Sequence, residues 1–530
     1  MGHDRSLALA MAAGVALGAC GSGKNESSTS KAPGTHDDAG NEDANVAGDG
    51  AGEDSAGTVY PAFAVDAPQI QKNQGAVLSS PVVVTVTWPG DTNASTWEDF
   101  GDTIGASSYW TATTAPYGVG AATSGPSNHV RMVQPLPSSL SYDDIENLVI
   151  DMVQAAQSGR GAPAAGSLED SSADDSSPND GSLDASLNGS LDASLDGSPD
   201  AGSLNGSPDA GSLNGSPDAG SLNGSPDAGS LNGSPNPLWP LPTLDPSGHS
   251  QTIYSLFIPP STTETDPGTG SSFCSEASFG YHDVVTVGAT SVVFTVVLEC
   301  PMQTAADFEE SAAHEDIEAA TDPYIGSTTQ GYKGFDANHA AWEIYAQYGD
   351  ELADACQNWE DSYYQESASF PYWVQRSWSN TAALAGNDPC VPAPAGPYHG
   401  MTLFPSQEST VMVDQSALGG PVTDTQGFKA ALGQPFTFQV GYFSNASTAP
   451  WPISYNFPGY LVSMVGGIVR NGAANVTIDK TSGQNGDRAD VTVTVTERAP
   501  SGFHVMAVTW DPPTSSGYQP HYLPLVIVDE

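Results

Sequence analysis

A low-complexity tract from about Arg160 to Pro235 interrupts this chain and limits how the flanking segments can fold. Inside it the motif SLNGSPDAG repeats every nine residues, starting at Ser203, Ser212 and Ser221. The tract has too few large apolar residues to offset the entropy lost when a backbone is ordered, so it predicts a disordered insertion. A nonapeptide period also occurs in calcium-binding β-rolls, but the Pro and the single Asp of each repeat disfavour calcium binding here.

The N-terminal segment predicts an export signal, because Arg5 precedes an apolar run from Leu7 to Leu17 that is too short for a permanent membrane span. The sequence LGAC that ends at Cys20 resembles the bacterial lipobox, after which the cysteine becomes the lipid-modified first residue. We therefore expect a lipoprotein of the bacterial cell envelope, at the outer membrane or cell surface, that contacts the membrane through Cys20. Residues 21–58 have almost no large apolar side chain and predict a disordered tether. An ordinary signal peptide with a chance cysteine is the alternative.

The charge of the chain excludes one class of partner. The sequence has 13 Lys and Arg residues against 62 Asp and Glu residues, which gives a formal net charge of −49. Such a charge repels nucleic acid, so we expect no nucleic-acid partner. The negative net charge is consistent with a strongly solvated surface and with cation binding. The alternative is that the acidic residues mostly belong to disordered linkers and mark no site.

Without Cys20 an even number of cysteines remains, namely Cys274, Cys300, Cys356 and Cys390. In an exported chain this favours disulfides over free thiols. We expect Cys274 to pair with Cys300 and Cys356 with Cys390, since each pair closes a short loop within one subregion. Zinc ligation by these cysteines is the competing interpretation, and the absence of any CxxC spacing disfavours it.

Hydrophobic periodicity predicts an α+β domain at 59–398, divided by the insertion at 160–235, and a β-rich domain at 399–530. The clearest elements of the first domain are predicted at Val82–Thr87, Ser141–Gly159, Thr252–Ile258 and Val292–Glu299. Beyond Gly400 the short β-rich runs, separated by Gly, Asn, Ser and Pro, are typical of an antiparallel, immunoglobulin-like β-sandwich.

The segment SAAHEDIEAATDP, residues 311–323, predicts a helix that places His314 and Glu318 on one face, close enough to hold a single cation. Imidazole nitrogen and carboxylate oxygen both ligate Zn²⁺, so zinc is the expected cofactor. Glu315 follows the first ligand, as the general base does in the HExxH helix of zinc peptidases. An ordinary solvated acidic helix is the alternative, since His and Glu share helix faces by chance in acidic proteins.

The wider sequence resembles the EXORDIUM or phosphate-induced protein family and its bacterial relatives over about residues 80–395, the insertion excluded. HEDIEAATDP is similar to that family's HExxEAxTDP, and the segments TIYSLFIPP, FGYHD, ELADAC and YWVQRSWSN are similar to further family segments in the same order. The resemblance implies a zincin-like mixed sheet with helices. It also implies His314 and Glu318 as metal ligands, Asp354 as the third ligand, Glu315 as the base, and His282 as a nearby polar residue without an assigned role.

Two functions are consistent with these patterns. The first is a membrane-anchored, peptidase-like zinc hydrolase that acts on peptides, with Glu315 as its catalytic residue and His339 as a further candidate ligand. The second is a non-catalytic surface protein that binds a cell-surface polymer or another protein. Aromatic residues such as Trp451 and Tyr460 could serve such binding, although residues of this kind more often pack in a core.

Limited proteolysis of the folded protein should cleave first between Arg160 and Pro235, because proteases act on locally unfolded chain. Mass spectrometry of the earliest products would locate the cut. Protection of this tract while the chain is cleaved elsewhere would contradict the predicted disorder.

Overall fold

The fold is given by a computed structural model, which describes residues 59–159, 236–265, 271–275, 279–325, 330–346, 351–416, 420–462, 468–515 and 517–530. The predicted signal with Cys20, the tether at 21–58 and the insertion at 160–235 lie outside the described residues. In the described part of the chain, no helix is long and apolar enough to cross a membrane.

The first half of the chain alternates strands and helices. In chain order these are β1 Ile70–Lys72, β2 Val82–Thr87, α1 Ala94–Ile104, α2 Ser108–Thr114, β3 His129–Arg131, β4 Ser139–Ser141, α3 Tyr142–Ser158, β5 Thr252–Ile258, β6 Thr263–Thr265, β7 Gly280–Val287, β8 Thr290–Leu298 and α4 Ala305–Thr321.

The following segment, which leads into the C-terminal region, has shorter elements. These are β9 Tyr332–Phe335, α5 Ala340–Ala346, α6 Asp354–Gln357, β10 Tyr363–Ser367, β11 Phe370–Gln375, β12 Ser377–Trp378, α7 Asn380–Leu384 and β13 Cys390–Val391.

The C-terminal region is built from strands. They are β14 His399–Thr402, β15 Ser409–Asp414, β16 Val422–Ala430, β17 Pro435–Ser444, β18 Trp451–Pro452, β19 Ser454–Asn456, β20 Tyr460–Val462, β21 Ile468–Arg470, β22 Ala474–Ile478, β23 Ser482–Gly483, β24 Arg488–Val495, β25 Phe503–Trp510 and β26 His521–Asp529. The class is therefore α+β with a sheet-rich C-terminal region, as the sequence predicts.

Local sequence signals placed several elements correctly. The strands predicted at Val82–Thr87 and Thr252–Ile258 have those bounds in the structure. Helix α3 begins after Ser141, whose side chain accepts from Asp144 N in a capping box, and it ends at Gly159 with φ 62°. A left-handed residue at this position favours glycine, because it has no Cβ to clash.

A five-stranded sheet joins the segments on either side of the insertion. Its order is β3-β2-β5-β8-β7, in which β7 pairs antiparallel with β8 and the other neighbours are parallel. Helix α3 covers one face, where its Ile145 and Val149 share a buried cluster with β5 and β8. Helices α1, α2 and α4 cover the other face. Burying each large apolar side chain contributes about 1.5 to 3 kcal/mol, so both faces stabilise the sheet.

Both predicted disulfides are confirmed. Cys274 is bonded to Cys300, and Cys356 is bonded to Cys390. The second bond links α6 to β13, and β13 pairs with β12. It therefore fixes the segment that carries Asp354 to the strands that follow it.

Two larger sheets form most of the C-terminal region, beside the two-stranded pairs β18-β23 and β20-β21. One has the order β14-β17-β24-β22 and is antiparallel throughout; the other has the order β15-β16-β26-β25-β19. The sequence predicted only antiparallel pairing, which is wrong at one place, because β16 and β26 pair in parallel. A strand from near the start of this region lies beside its last strand, and local sequence carries no signal for such a long-range pairing.

The two C-terminal sheets share a buried cluster that extends into the first part of the chain. It includes Val440 and Val491 of one sheet, Val505 of the other, and Trp342 and Trp378 from α5 and β12. The described residues accordingly fall in one compact unit.

Replacing Cys356 and Cys390 together by serine should lower the free energy of unfolding by about 3 to 4 kcal/mol, because a bond over 34 residues restricts the unfolded chain. Urea unfolding followed by tryptophan fluorescence would measure the loss. The Cys274 and Cys300 double-serine variant, which opens a loop of 26 residues, should lose nearly as much, about 3 to 4 kcal/mol, for the same reason. An unchanged unfolding midpoint in the Cys356 and Cys390 variant would contradict the stabilising role.

Candidate metal centre

Helix α4 carries the predicted site residues into the protein interior. Thr304 and Asp307 form a capping box at its start, and the helix ends at Thr321, one residue before the Asp322 that precedes Pro323. Every residue from 312 to 321 is buried. The alternative of a solvated acidic helix is therefore excluded for this half of α4, and its charged groups need partners that replace water.

A row of buried polar side chains crosses the sheet beneath α4. Thr85 of β2, Ser255 of β5, Thr295 of β8 and His282 of β7 are register partners on neighbouring strands. Each interrupts a largely apolar strand. Asp316 of α4 accepts hydrogen bonds from Ser255 Oγ at 2.9 Å and Thr295 Oγ1 at 3.3 Å. The row therefore anchors the helix to the sheet through a polar contact in an apolar layer.

The helix approaches the sheet closely where β7 begins. A Cβ added to Gly280 would lie 2.9 Å from Val296 O and 3.0 Å from Glu315 Cγ. A larger residue would push α4 away from β7. Glycine at this position thus lets Glu315 come near the neighbouring His282.

His314 is held in the orientation of a metal ligand. Gln375 Nε2 donates to Ala353 O at 2.7 Å, so the Gln375 Oε1 atom must be the one that faces His314 Nδ1, at 3.0 Å. An amide oxygen only accepts, so Nδ1 carries the proton. Nε2 is then the nitrogen that can bind a cation in place of a proton, and this buried atom makes no hydrogen bond to the described residues. Metal-binding histidines characteristically have such a partner on the other nitrogen.

Two carboxylates face that nitrogen. His314 Nε2 lies 3.1 Å from Glu318 Oε2 and 3.5 Å from Asp354 Oδ1. The other oxygen of Glu318 accepts from Ala353 N at 3.2 Å and Asp354 N at 3.1 Å, which leaves Oε2 for the ligand set. Ligands bonded at about 2.0 to 2.2 Å in a tetrahedron are separated by roughly 3.3 to 3.6 Å. The two distances from His314 Nε2 are thus close to the spacing that one cation requires, and all three ligand atoms lie within 4.8 Å of one another.

Glu315 and His282 lie on the adjacent side of Glu318. His282 Nδ1 is 3.5 Å from Glu315 Oε2 and 3.8 Å from Glu318 Oε2. His282 Nε2 faces the backbone oxygen of Asp322 at 3.3 Å, and a carbonyl only accepts, so this nitrogen carries a proton. The groups His282, Glu315, Glu318 and His314, Glu318, Asp354 each have the compactness of a metal site, and they share Glu318.

Glu351 and Lys333 border the cluster. Lys333 Nζ donates to Glu351 Oε1 at 2.8 Å, and Glu351 Oε2 lies 3.9 Å from His282 Nε2. Although burial by itself raises the pKa of Glu351, Lys333 and His282 lower it to about 2. This ion pair balances one carboxylate and leaves Glu315, Glu318 and Asp354 to be balanced by other groups.

The remaining electrostatics favour an added cation. Burial alone would lower the pKa of His314, but the carboxylates of Glu318 and Glu315 outweigh burial and raise it well above its usual range. Burial and repulsion from Asp354 raise the pKa of Glu318 well above its usual range. Both shifts mean that protons are taken up to relieve excess negative charge. A divalent cation would relieve the same excess and would displace those protons.

The structure brings together the residues predicted from the motifs. His314, Glu315, Glu318, Asp354 and His282 all belong to one buried cluster. Sequence reasoning missed Gln375 and Glu351 as functional residues. Both lie inside segments already singled out, YWVQRSWSN and ELADAC, and a polar residue in a buried strand was the available signal for Gln375.

Other candidates lie elsewhere. His339 is paired with Asp336 at 2.8 Å and Asp66 at 3.3 Å, so it is not a ligand of this cluster. Trp451 is buried, 5.4 Å from Tyr442 between ring centres, and therefore packs in the core. Tyr460 is exposed.

No protein-family model matches the chain, and no curated protein matches it.

Replacing Gln375 by leucine should weaken Zn²⁺ binding about 10- to 100-fold, because His314 Nδ1 loses the acceptor that orients the ring. Competition with a chromophoric chelator would measure the affinity. Gln365→Leu is the matched control, since Gln365 is exposed on the neighbouring β10 and should leave Zn²⁺ binding unchanged. An equal affinity in the Gln375 variant and the wild type would exclude the orienting role.

Proposed function

We propose that this protein is a zinc-dependent, peptidase-like hydrolase, anchored in the bacterial cell envelope through a lipid on Cys20. The observation that carries the proposal is the buried, unbonded His314 Nε2 facing Glu318 at 3.1 Å and Asp354 at 3.5 Å. A nitrogen and two carboxylate oxygens in this arrangement suit Zn²⁺ and leave room for a fourth position.

The fold assignment belongs to the same proposal. A helix with the sequence HEDIE that crosses a mixed sheet, with an antiparallel strand at its edge, supports a zincin-like domain of the EXORDIUM type. Two sheets with a shared core support an immunoglobulin-like sandwich after it. The motif order from TIYSLFIPP to YWVQRSWSN supports the family relationship.

The residues of the chain have distinct roles in the proposed reaction. When bound, zinc supplies Lewis acidity that activates water and polarises the substrate carbonyl. His314, Glu318 and Asp354 hold the ion. Glu315 lies beside these three ligands but is not one of them. In this position it accepts the proton of the attacking water and then donates it to the leaving amine. His282 fixes the Glu315 carboxylate from the side of the sheet.

Glu315→Gln should keep zinc and lower kcat about 10²- to 10⁴-fold, because an amide cannot accept the proton of water. His314→Ala should lose both zinc and activity. Elemental analysis of the purified protein and cleavage of a broad peptide library would measure the two properties.

Glu309→Gln is the control for the same substitution on the same helix, at a half-buried position whose carboxylate accepts from Trp373 N at 2.9 Å. It should change neither zinc content nor turnover. Absence of stoichiometric zinc in the wild type would exclude the hydrolase. Zinc without cleavage of any peptide would favour a non-catalytic surface-binding protein instead.

A further inference from the structure

We propose that the metal centre contains a second, weaker cation site, in which His282, Glu315 and Glu318 bind a divalent cation such as Zn²⁺ and Glu318 bridges the two ions. Filling this site occupies the carboxylate of Glu315 and inhibits the hydrolase when zinc is in excess. The inhibition rests on the proposed hydrolase function, whereas the second site itself does not.

His282 has the arrangement of a metal ligand in its own right. Its Nε2 faces Asp322 O at 3.3 Å and therefore carries a proton, so Nδ1 is the nitrogen that can bind a cation in place of a proton. This Nδ1 lies 3.5 Å from Glu315 Oε2 and 3.8 Å from Glu318 Oε2. A backbone carbonyl on the other nitrogen is characteristic of metal-binding histidines.

His314 shows the same division of roles between its two nitrogens. Its Nδ1 bonds to Gln375 Oε1, and its buried Nε2 makes no hydrogen bond to the described residues. Nε2 of His314 and Nδ1 of His282 both face one oxygen, Glu318 Oε2, at 3.1 and 3.8 Å. Each imidazole is thus oriented toward the shared carboxylate by a hydrogen bond on its other nitrogen.

The two imidazoles belong to separate ligand groups. Among the described residues, the candidate ligand atoms that lie within 4.8 Å of one another form two groups, one with each histidine, and both contain Glu318. A single ion at one group therefore leaves the imidazole of the other group without a cation. Two ions that share a bridging ligand, about 3.5 to 4 Å apart, would use both.

The spacing of the second group suits a cation after a small contraction. Ligands bonded at about 2.0 to 2.2 Å in a tetrahedron are separated by roughly 3.3 to 3.6 Å. The 3.5 Å from His282 Nδ1 to Glu315 fits, and the 3.8 Å to Glu318 is slightly long. Gly280 permits this approach, because a Cβ there would lie 3.0 Å from Glu315 Cγ.

The charges of the centre determine the order in which the sites fill. Glu351 is paired with Lys333 at 2.8 Å, so Glu315, Glu318 and Asp354 provide the negative charge that remains. One divalent cation leaves one negative charge uncompensated, and a second leaves one positive charge in excess. Because like charges repel strongly in a buried site, the second ion binds more weakly than the first. Purified protein should therefore keep only the first ion.

A cation in the second site removes the base from the proposed reaction. Glu315 accepts the proton of water only while its carboxylate is free, and a carboxylate bonded to a cation cannot do so. Glu318 stays a ligand of the first ion, because its other oxygen is held by Ala353 N and Asp354 N. Activity should therefore require the first ion and fall as the second binds.

The test titrates full-length protein with Zn²⁺ in a calorimeter after dialysis against a chelator. The wild type should bind one equivalent tightly and a second at least about tenfold more weakly, because the two ions repel each other. His282→Leu and Glu315→Gln should each keep the first equivalent and lose the second, since one removes the nitrogen ligand and the other the carboxylate charge. Thermal unfolding would verify that each variant is folded.

The net charge of −49 makes it necessary to distinguish the second site from adventitious zinc binding elsewhere. With Co²⁺ in place of Zn²⁺, two ions bridged by one oxygen couple magnetically. The electron paramagnetic resonance signal per cobalt should therefore fall when the second equivalent is added. His339→Leu is the matched control, because His339 is paired with Asp336 outside the centre, and it should titrate like the wild type.

Peptide cleavage at increasing free Zn²⁺ tests the inhibition. Cleavage by the wild type should rise with the first equivalent and fall about 100-fold as the second binds, because the base is lost. Cleavage by His282→Leu, relative to its own maximum, should not fall over the same range.

Each contrary result overturns a defined part of the proposal. A single bound equivalent, a second one that persists in His282→Leu, or uncoupled cobalt signals would exclude the second site and leave the hydrolase function intact. Unchanged cleavage with both sites filled would exclude the inhibition alone. Two coupled ions without cleavage of any peptide would support the second site and overturn the hydrolase function. Absence of any bound ion would overturn both.

Discussion

Burial of the charged half of α4 is the constraint on which the surrounding structure depends. His314, Glu315, Asp316 and Glu318 lie within two helical turns, and all are almost fully shielded from water. Burying an isolated charge costs far more than one hydrophobic contact contributes, so each of these groups needs a specific partner. The partners come from separate elements: hydroxyl groups from β5 and β8, an imidazole from β7, backbone amides before α6, and the amide of Gln375 from β11.

The insertion leaves the contacts between α4 and its partner elements intact, and the disulfide stabilises them. The tract at 160–235 follows α3 and precedes β5, outside the strands, so Thr85 before it and Ser255 after it still pair in register. The Cys356–Cys390 bond holds α6 against the strands behind it. The buried cluster that α5 and β12 share with both C-terminal sheets supports the same segment from the other side. The C-terminal region thus shares its core with the segment that carries Asp354 and is not only appended to it.

Much of the fold could be predicted because its signals are local. The apolar stripe after Ser141 and the β-branched run at Val82–Thr87 define α3 and β2 from a few neighbouring residues. The proximity of His314 and Glu318 could be predicted for the same reason, since helical spacing fixes their separation. Gln375 could not be assigned a role, because its bond to His314 spans 61 residues and arises only when β11 packs on α4. The parallel pairing of β16 with β26 could not be predicted either, because it also joins segments far apart in the chain.

The sequence by itself determined the helix and the presence of one imidazole and several carboxylates on α4, and the short loops between the cysteines favoured the two disulfide pairs that the structure contains. These follow from residue type and short-range spacing. Only the tertiary structure decided that this helix is buried, that Asp354 and His282 lie beside it, and that Gln375 bonds to Nδ1 of His314 while Nε2 faces the carboxylates. Those outcomes depend on contacts between residues far apart in the chain, whose free energies exist only once the core has packed.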